Sequence, residues 1–322
     1  MVIKILKNSH QEQSCQCVCA LLAEHPPANS MAEPAPEPRV LSLLSASTEI
    51  VHRLGCSHLL VGRSHGCDDP PMATVLPVAT APKVDPNAPS AAIDSAVRAQ
   101  AEAGGPIYLI HDVTVRELQP NVIITQEQCR ICAVTPDDVA AACKGMPAAK
   151  MVVIKPVTLD DVYGDVMTIA TALGKADRGV RLVGFMKQRV GIVAQQCSAV
   201  AAAAGAGAPA VAHVEWLAPL MGSGYWITEC VNAAGCEMVH GVVGGHSPTL
   251  PNLASLAGAA MLVVAPCGFS IERTHAELEM LKLRTNPEWL RLPAVRTGRV
   301  YVADGNKYFN RSSCGVVDTA SD

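Results

Sequence analysis

The sequence predicts an α/β fold: two parallel-sheet lobes joined by a long helical segment, with a ligand cleft between the lobes. Three observations predict it. Short apolar runs alternate with helical patterns over residues 39–156, and the alternation resumes over 209–322. That alternation marks parallel sheets covered by helices. Between these stretches, 157–208 keeps a helical period and contains no strand run. Finally, polar, aromatic and cysteine residues follow the strands, where parallel sheets bind their ligands.

The elements follow in chain order. Residues 1–38 read as a disordered leader ending in the linker "AEPAPEPR". "RVLSLL" is the first strand. "ASTEIVHRLGC" is a helix with Ser47 or Thr48 as N-cap and Gly55 past its end. "LLVGRS" is a second strand, broken by "HGCDDPPM". "AAIDSAVRAQAEAG" is a helix, "PIYLIH" a strand, "DVTVRELQP" a short helix and "NVIIT" a strand. "TPDDVAAACKG" is a helix with Thr135 as cap and Pro136 at its first position. The strand "KMVVIKP" closes the first lobe. In "TLDDVYGDVMTIATALG", Leu159, Val162, Val166, Ile169 and Leu173 share one helical face. A break at Gly174–Lys175 precedes a longer helical run. The second lobe reads "AVAHVEWL", "WITECVNAAGC", "AAMLVVAPC", "ERTHAELEMLKL" and "GRVYVADG". It ends in polar "SSCGVVDTASD", with no final amphipathic helix and the look of a truncated lobe.

Composition excludes several function classes. The net charge is -4 and charged residues make up 17%, so no electrostatic case exists for nucleic acid or an anionic membrane. No apolar run reaches the ~18–20 residues of a membrane span. Thirteen cysteines form an odd set in a mid-sized chain, unlike a small secreted disulfide scaffold, and favour a reducing compartment. Residues 1–30 make a poor signal peptide. No nucleophile elbow or Ser-His-Asp spacing appears, so the chain reads as a binding protein rather than an enzyme.

Aromatics are only 3% of the chain, so their positions carry information. Trp216, Trp226, Phe269, Tyr308 and Phe309 all lie in strand-end loops. Ser64, His65, Asp68, Gln126, Asn310 and Arg311 lie in the same set of loops. So do Cys67, Cys129, Cys132 and Cys267. If these four thiols converge, a tetrahedral zinc ion or an iron–sulfur cluster suits them. A single Cys-x-x-Cys is half of such a pattern. The alternative for each is a buried, inert thiol.

The segments "RVLSLLSASTEIVHRLG", "VGRSHGCDDPP", "QEQCRICAV", "VEWLAPLMGSGYW", "VVAPCGFSIERT" and "GRVYVADGNKYFNR" together resemble the cobalamin-binding branch of the iron/B12 periplasmic-binding family. Its members are solute-binding proteins of ABC transporters. The resemblance runs from about Arg39 to about Arg311. It implies a corrinoid site, with cobalamin or a relative as ligand, built from Ser64, His65, Asp68, the 126–132 loop, Trp216, Trp226 and the 308–311 loop. It also implies a permease partner and a periplasmic location, against the compartment that the cysteines favour. The alternative reading is a cysteine-based metal-binding or corrinoid-handling protein on the same fold, with an enzymatic role left open. A third reading is a siderophore or haem binder, since this fold serves those ligands too.

Overall fold

The computed structural model describes residues 4–5, 37–127, 134–144, 149–205 and 207–321. It has the two α/β lobes and the helical connection that the sequence predicts. β1 is Lys4–Ile5 and β2 is Val40–Ser42. α1 is Ser45–Arg53, β3 Leu60–Arg63, β4 Thr80–Pro82 and α2 Ser90–Glu102. β5 is Tyr108–Ile110, α3 Asp112–Leu118, β6 Val122–Gln126, α4 Pro136–Ala142 and β7 Lys150–Ile154. In the first lobe, a four-stranded parallel sheet has the order β3-β2-β6-β7, and β4 and β5 form a separate antiparallel ribbon. β2 and β6 are the inner strands, and the residues of both are buried throughout. Such strands read as unbroken apolar runs rather than as alternation.

The connection is two helices, α5 (Leu159–Ala172) and α6 (Ala176–Ala204). Thr158 and Asp161 cap α5 reciprocally: Asp161 N–H donates to Thr158 Oγ1, and Thr158 N–H donates back to Asp161 Oδ2. Gly174 takes a φ of +68° at the break. A left-handed backbone there costs a glycine nothing. α6 runs 29 residues, about 43 Å at 1.5 Å per residue.

The second lobe contains β8 (Ala210–Trp216), β9 (Met221–Gly222), α7 (Ile227–Ala233), β10 (Glu237–Met238), β11 (Met261–Val264), α8 (Ile271–Met280), α9 (Pro287–Arg291), α10 (Pro293–Arg296), β12 (Val300–Val302) and α11 (Val316–Ser321). Its sheet has the order β1-β12-β11-β8-β10, with β9 antiparallel on β8 and every other pairing parallel.

Three local expectations change. Lys4–Ile5 of the leader forms β1, which pairs with β12 at the sheet's edge; the leader expectation for 1–3 and 6–36 lies outside the described residues. The expected cap of α1 moves upstream: Leu44 is the N-cap, and Ser47 and Thr48 sit in the first turn. Their hydroxyls meet Ser42 Oγ, at 2.6 and 2.7 Å, instead of capping. The polar end of the chain forms α11, with Val316 and Val317 buried. Only two apolar residues anchor that helix, too few to show a period.

One buried cluster crosses between the lobes. It joins Val40, Ile50 and Ile154 of the first lobe and Val162 and Met186 of the connection to Trp226, Phe309 and Val316 of the second. A second cluster, around Leu256, Leu262 and Trp289, lies wholly within the second lobe.

Candidate functional site

The carboxyl ends of β2 and β3, with the first residues of β4 and β5, gather one set of polar groups. Leu44 and Ser45 follow β2, Ser64 and His65 follow β3, Thr80 opens β4 and Tyr108 opens β5. Together with Leu43, Gly66 and Val134 they line a cavity of about 50 Å³. Arg63 fixes the turn that carries His65. Its guanidinium donates to the carbonyls of Ser64 (3.1 Å), Cys67 (3.2 Å) and Thr74 (2.9 Å).

His65 is exposed, yet its ring is held on two sides. Nδ1 lies 2.8 Å from Thr80 Oγ1, and the His65 backbone N–H donates to the same oxygen at 3.1 Å. The ring sits 5.3 Å from that of Tyr108 at an interplanar angle of 32°. Partial burial, and secondarily Arg63, lower its pKa, which favours the neutral imidazole. In the tautomer in which Nδ1–H donates to Thr80, the Nε2 lone pair is available to a ligand. An oriented neutral imidazole of this kind suits a metal centre.

The cysteines behave differently. Cys67 is fully buried in a hydroxyl cage: Thr48 Oγ1 donates to its sulfur at 3.0 Å and Ser64 Oγ lies 3.1 Å away. Cys267 is half-buried on the second lobe, its N–H bonded to Glu215 O. Cys129 and Cys132 lie outside the described residues. Among the described residues, no three of His, Cys, Asp and Glu are grouped to hold a metal.

The second lobe's aromatics divide into core and rim. Trp226, Phe269 and Phe309 are 6%, 2% and 9% exposed. Phe309 packs on His213, ring centroids 4.3 Å apart. Burial lowers the His213 pKa to about 3. Trp216 is half-buried at the end of β8, edge-on to Phe269 at 5.3 Å and 63°, with Nε1 donating to Ala218 O at 3.0 Å. Tyr308 is half-buried, Asn310 donates its amide to Gly305 O, and Gln126 is buried at the end of β6.

Arg311 and Asp68 meet each other across the lobes. Arg311 is 4% exposed; one nitrogen donates to Glu49 Oε1 at 2.7 Å and another to Asp68 Oδ1. Asn306 donates to Asp68 Oδ2 at 2.9 Å, and Ser313 to Glu49. Burial raises the Glu49 pKa, opposed by Arg311 and Ser313. This network ties strand-end loops of the second lobe to α1 and to the turn after β3.

Tyr225 lies in a strand-end loop, but its pairing with His246 escaped the sequence reading. Tyr225 has a φ of +54°, a costly value for a bulky residue. Its hydroxyl lies 2.6 Å from His246 Nδ1, and the two rings meet edge-on at 5.4 Å. The loops that carry them are zipped together by Tyr225 N–H to Gly245 O at 2.7 Å. A Cβ on Gly224 would fall 2.3 Å from Gly245 O, so the approach requires glycine. Below them, Ser247 Oγ donates to Glu215 Oε2 at 2.8 Å, and burial raises the Glu215 pKa. The available signal was "GSGYW" beside "GGHSP": glycine-flanked polar aromatics at a sheet end.

Solved structures share this architecture. The apo haem-binding protein RhuT of Roseiflexus sp. RS-1 matches at 18% identity, covering 89% of this chain and 96% of its own, with a TM-score of 0.63. The vitamin B12-binding protein BtuF of Vibrio cholerae matches at 17%, covering 89% and 95%, with a TM-score of 0.60. A protein of an ABC-type Fe3+-hydroxamate transport system from Saccharomonospora viridis matches at 17%, covering 88% and 91%, with a TM-score of 0.59. No curated protein matches the chain. At these identities the likeness establishes the fold. The family model described as periplasmic binding protein matches residues 40–306, which takes in the connection, most of both lobes and the strand-end loops before Lys307. The chain belongs to the periplasmic binding protein family.

Proposed function

We propose that this protein is the solute-binding component of an ABC-type importer and that it holds haem in the interlobe cleft, with His65 reaching the iron. The observation that carries this reading is His65 itself. It is exposed at the strand ends and held by Thr80 and Tyr108, with its pKa lowered by partial burial and Arg63. A wide apolar ring needs flat faces and few orienting polar groups. Trp216 and the Tyr225–His246 pair offer such faces on the other lobe. Haem binders among the similar structures support the same reading. In this role the protein works outside the cytoplasm and delivers its ligand to a permease. No described helix is long and apolar enough to cross a membrane.

Cobalamin is the second reading, favoured by the "GRSHGCDDPP" and "VEWLAPL" segments. The apo protein is titrated separately with hemin, aquocobalamin and a ferric hydroxamate, followed by the Soret or corrin absorption and by tryptophan fluorescence. Hemin at micromolar affinity, with a spectrum that changes in His65→Ala, supports the proposal. Saturable binding of aquocobalamin alone moves the assignment to the corrinoid. A folded protein that binds none of the three defeats both.

A further inference from the structure

The loop between β4 and α2 belongs to the first lobe but is gripped by the second. Arg273, in the first turn of α8, donates to Pro86 O and, at 2.8 Å, to Ala88 O. Its guanidinium carbon lies over Phe269, 3.8 Å from the ring centroid. One turn further on, the buried Glu277 accepts the Ser90 N–H on Oε1 at 2.8 Å. Ser90 is fully buried and stands 187 residues from its partner. Phe269 in turn braces Trp216. A continuous line of contacts therefore runs from the first lobe's loop, through Arg273 and Phe269, to the aromatic rim of the second lobe.

We infer that Arg273 and Glu277 are a clasp that sets the open–closed balance of the cleft before any ligand arrives. The geometry distinguishes this contact from the other interlobe tie. Arg311 is buried against the buried Glu49 and reaches the half-exposed Asp68, and separating it from Glu49 strands two charges in the interior, which is strongly unfavourable. Arg273 grips backbone carbonyls. When it lets go, those carbonyls and the guanidinium are rehydrated at small net cost. The clasp opens first and the Arg311 tie stays shut, so the lobes part on the Arg273 side and pivot on the Arg311 side. Closure already present without ligand raises apparent affinity, because the competent fraction is larger. Both residues act through position.

The inference is independent of ligand identity, and its test uses the ligand-free full chain. Arg273→Met keeps an aliphatic cover on Phe269 and removes the donors. Glu277→Ala removes the acceptor for Ser90, while Glu277→Gln retains one. Hydrogen exchange and small-angle scattering are measured on all three and on wild type. Arg273→Met and Glu277→Ala are each expected to speed exchange across 83–90 at least tenfold and to enlarge the radius of gyration. Exchange at β8, β11 and the Glu49–Arg311 contact stays at wild-type rates, and Glu277→Gln matches wild type. Wild-type scattering in both disruptive variants overturns the clasp. So does faster exchange spread through β8 and β11, which marks a general loss of stability rather than an opening.

Discussion

The two walls of the cleft are built on different principles. The first lobe presents an accessible polar wall: His65 exposed, its ring fixed by a hydroxyl and a tyrosine, above buried hydroxyls and a thiol. The second lobe keeps three of its strand-end aromatics inside. Trp226, Phe269 and Phe309 hold the structure together, and Trp216 with Tyr225 and His246 remains at the rim. An aromatic residue after a strand is therefore weak evidence of ligand contact. A held but exposed imidazole is stronger, because something must repay the entropy of fixing it.

That contrast can be broken by substitution. Trp226→Ala should cost ~3–5 kcal/mol of folding stability by cavity formation, read by chemical denaturation. If stability is unchanged while hemin affinity falls, the ring belongs to the rim and the division is wrong. His65→Ala should do the reverse. It should weaken hemin binding on the order of 100-fold, about 2.7 kcal/mol, with a melting temperature close to wild type.

Acid separates the walls again. His213 has a folded pKa of about 3 against an ordinary 6.5. As pH falls below 6.5, the unfolded chain takes up a proton that the folded chain refuses. Stability is then lost by about 1.4 kcal/mol per pH unit, or about 2 kcal/mol between pH 6.5 and 5. His213→Gln should flatten that slope in pH-dependent denaturation, and an unchanged slope would place the acid sensitivity elsewhere. The smallest effect belongs to Thr80→Val, which frees His65 Nδ1 without removing the imidazole. Hemin affinity should drop about tenfold by spectrophotometric titration, and unaltered affinity would show that the orientation of His65 does not matter.

Much of the fold was legible because its signals are local. Short apolar runs, period-3.6 patterns, the Thr135 cap and the break at Gly174 each need only neighbouring residues. The grouping of His65 with Ser64 was legible for the same reason, since one turn carries both. What escaped is non-local. Glu49 and Arg311 meet across 262 residues. β1 is two residues long and exists only because β12 offers an edge. Whether an aromatic beside a helix start faces core or rim depends on which element covers it. Trp226 and Tyr225 are adjacent in sequence and differ in this respect.

The buried cluster that passes from Val40 through Met186 to Val316 has a thermodynamic consequence. Two lobes joined only by a linker would melt independently, each with its own midpoint. Here each lobe has a cluster of its own but both also share this one, so their unfolding is coupled into one cooperative event. A calorimetric scan should show a single peak, and a core substitution in either lobe should shift that whole peak rather than split it.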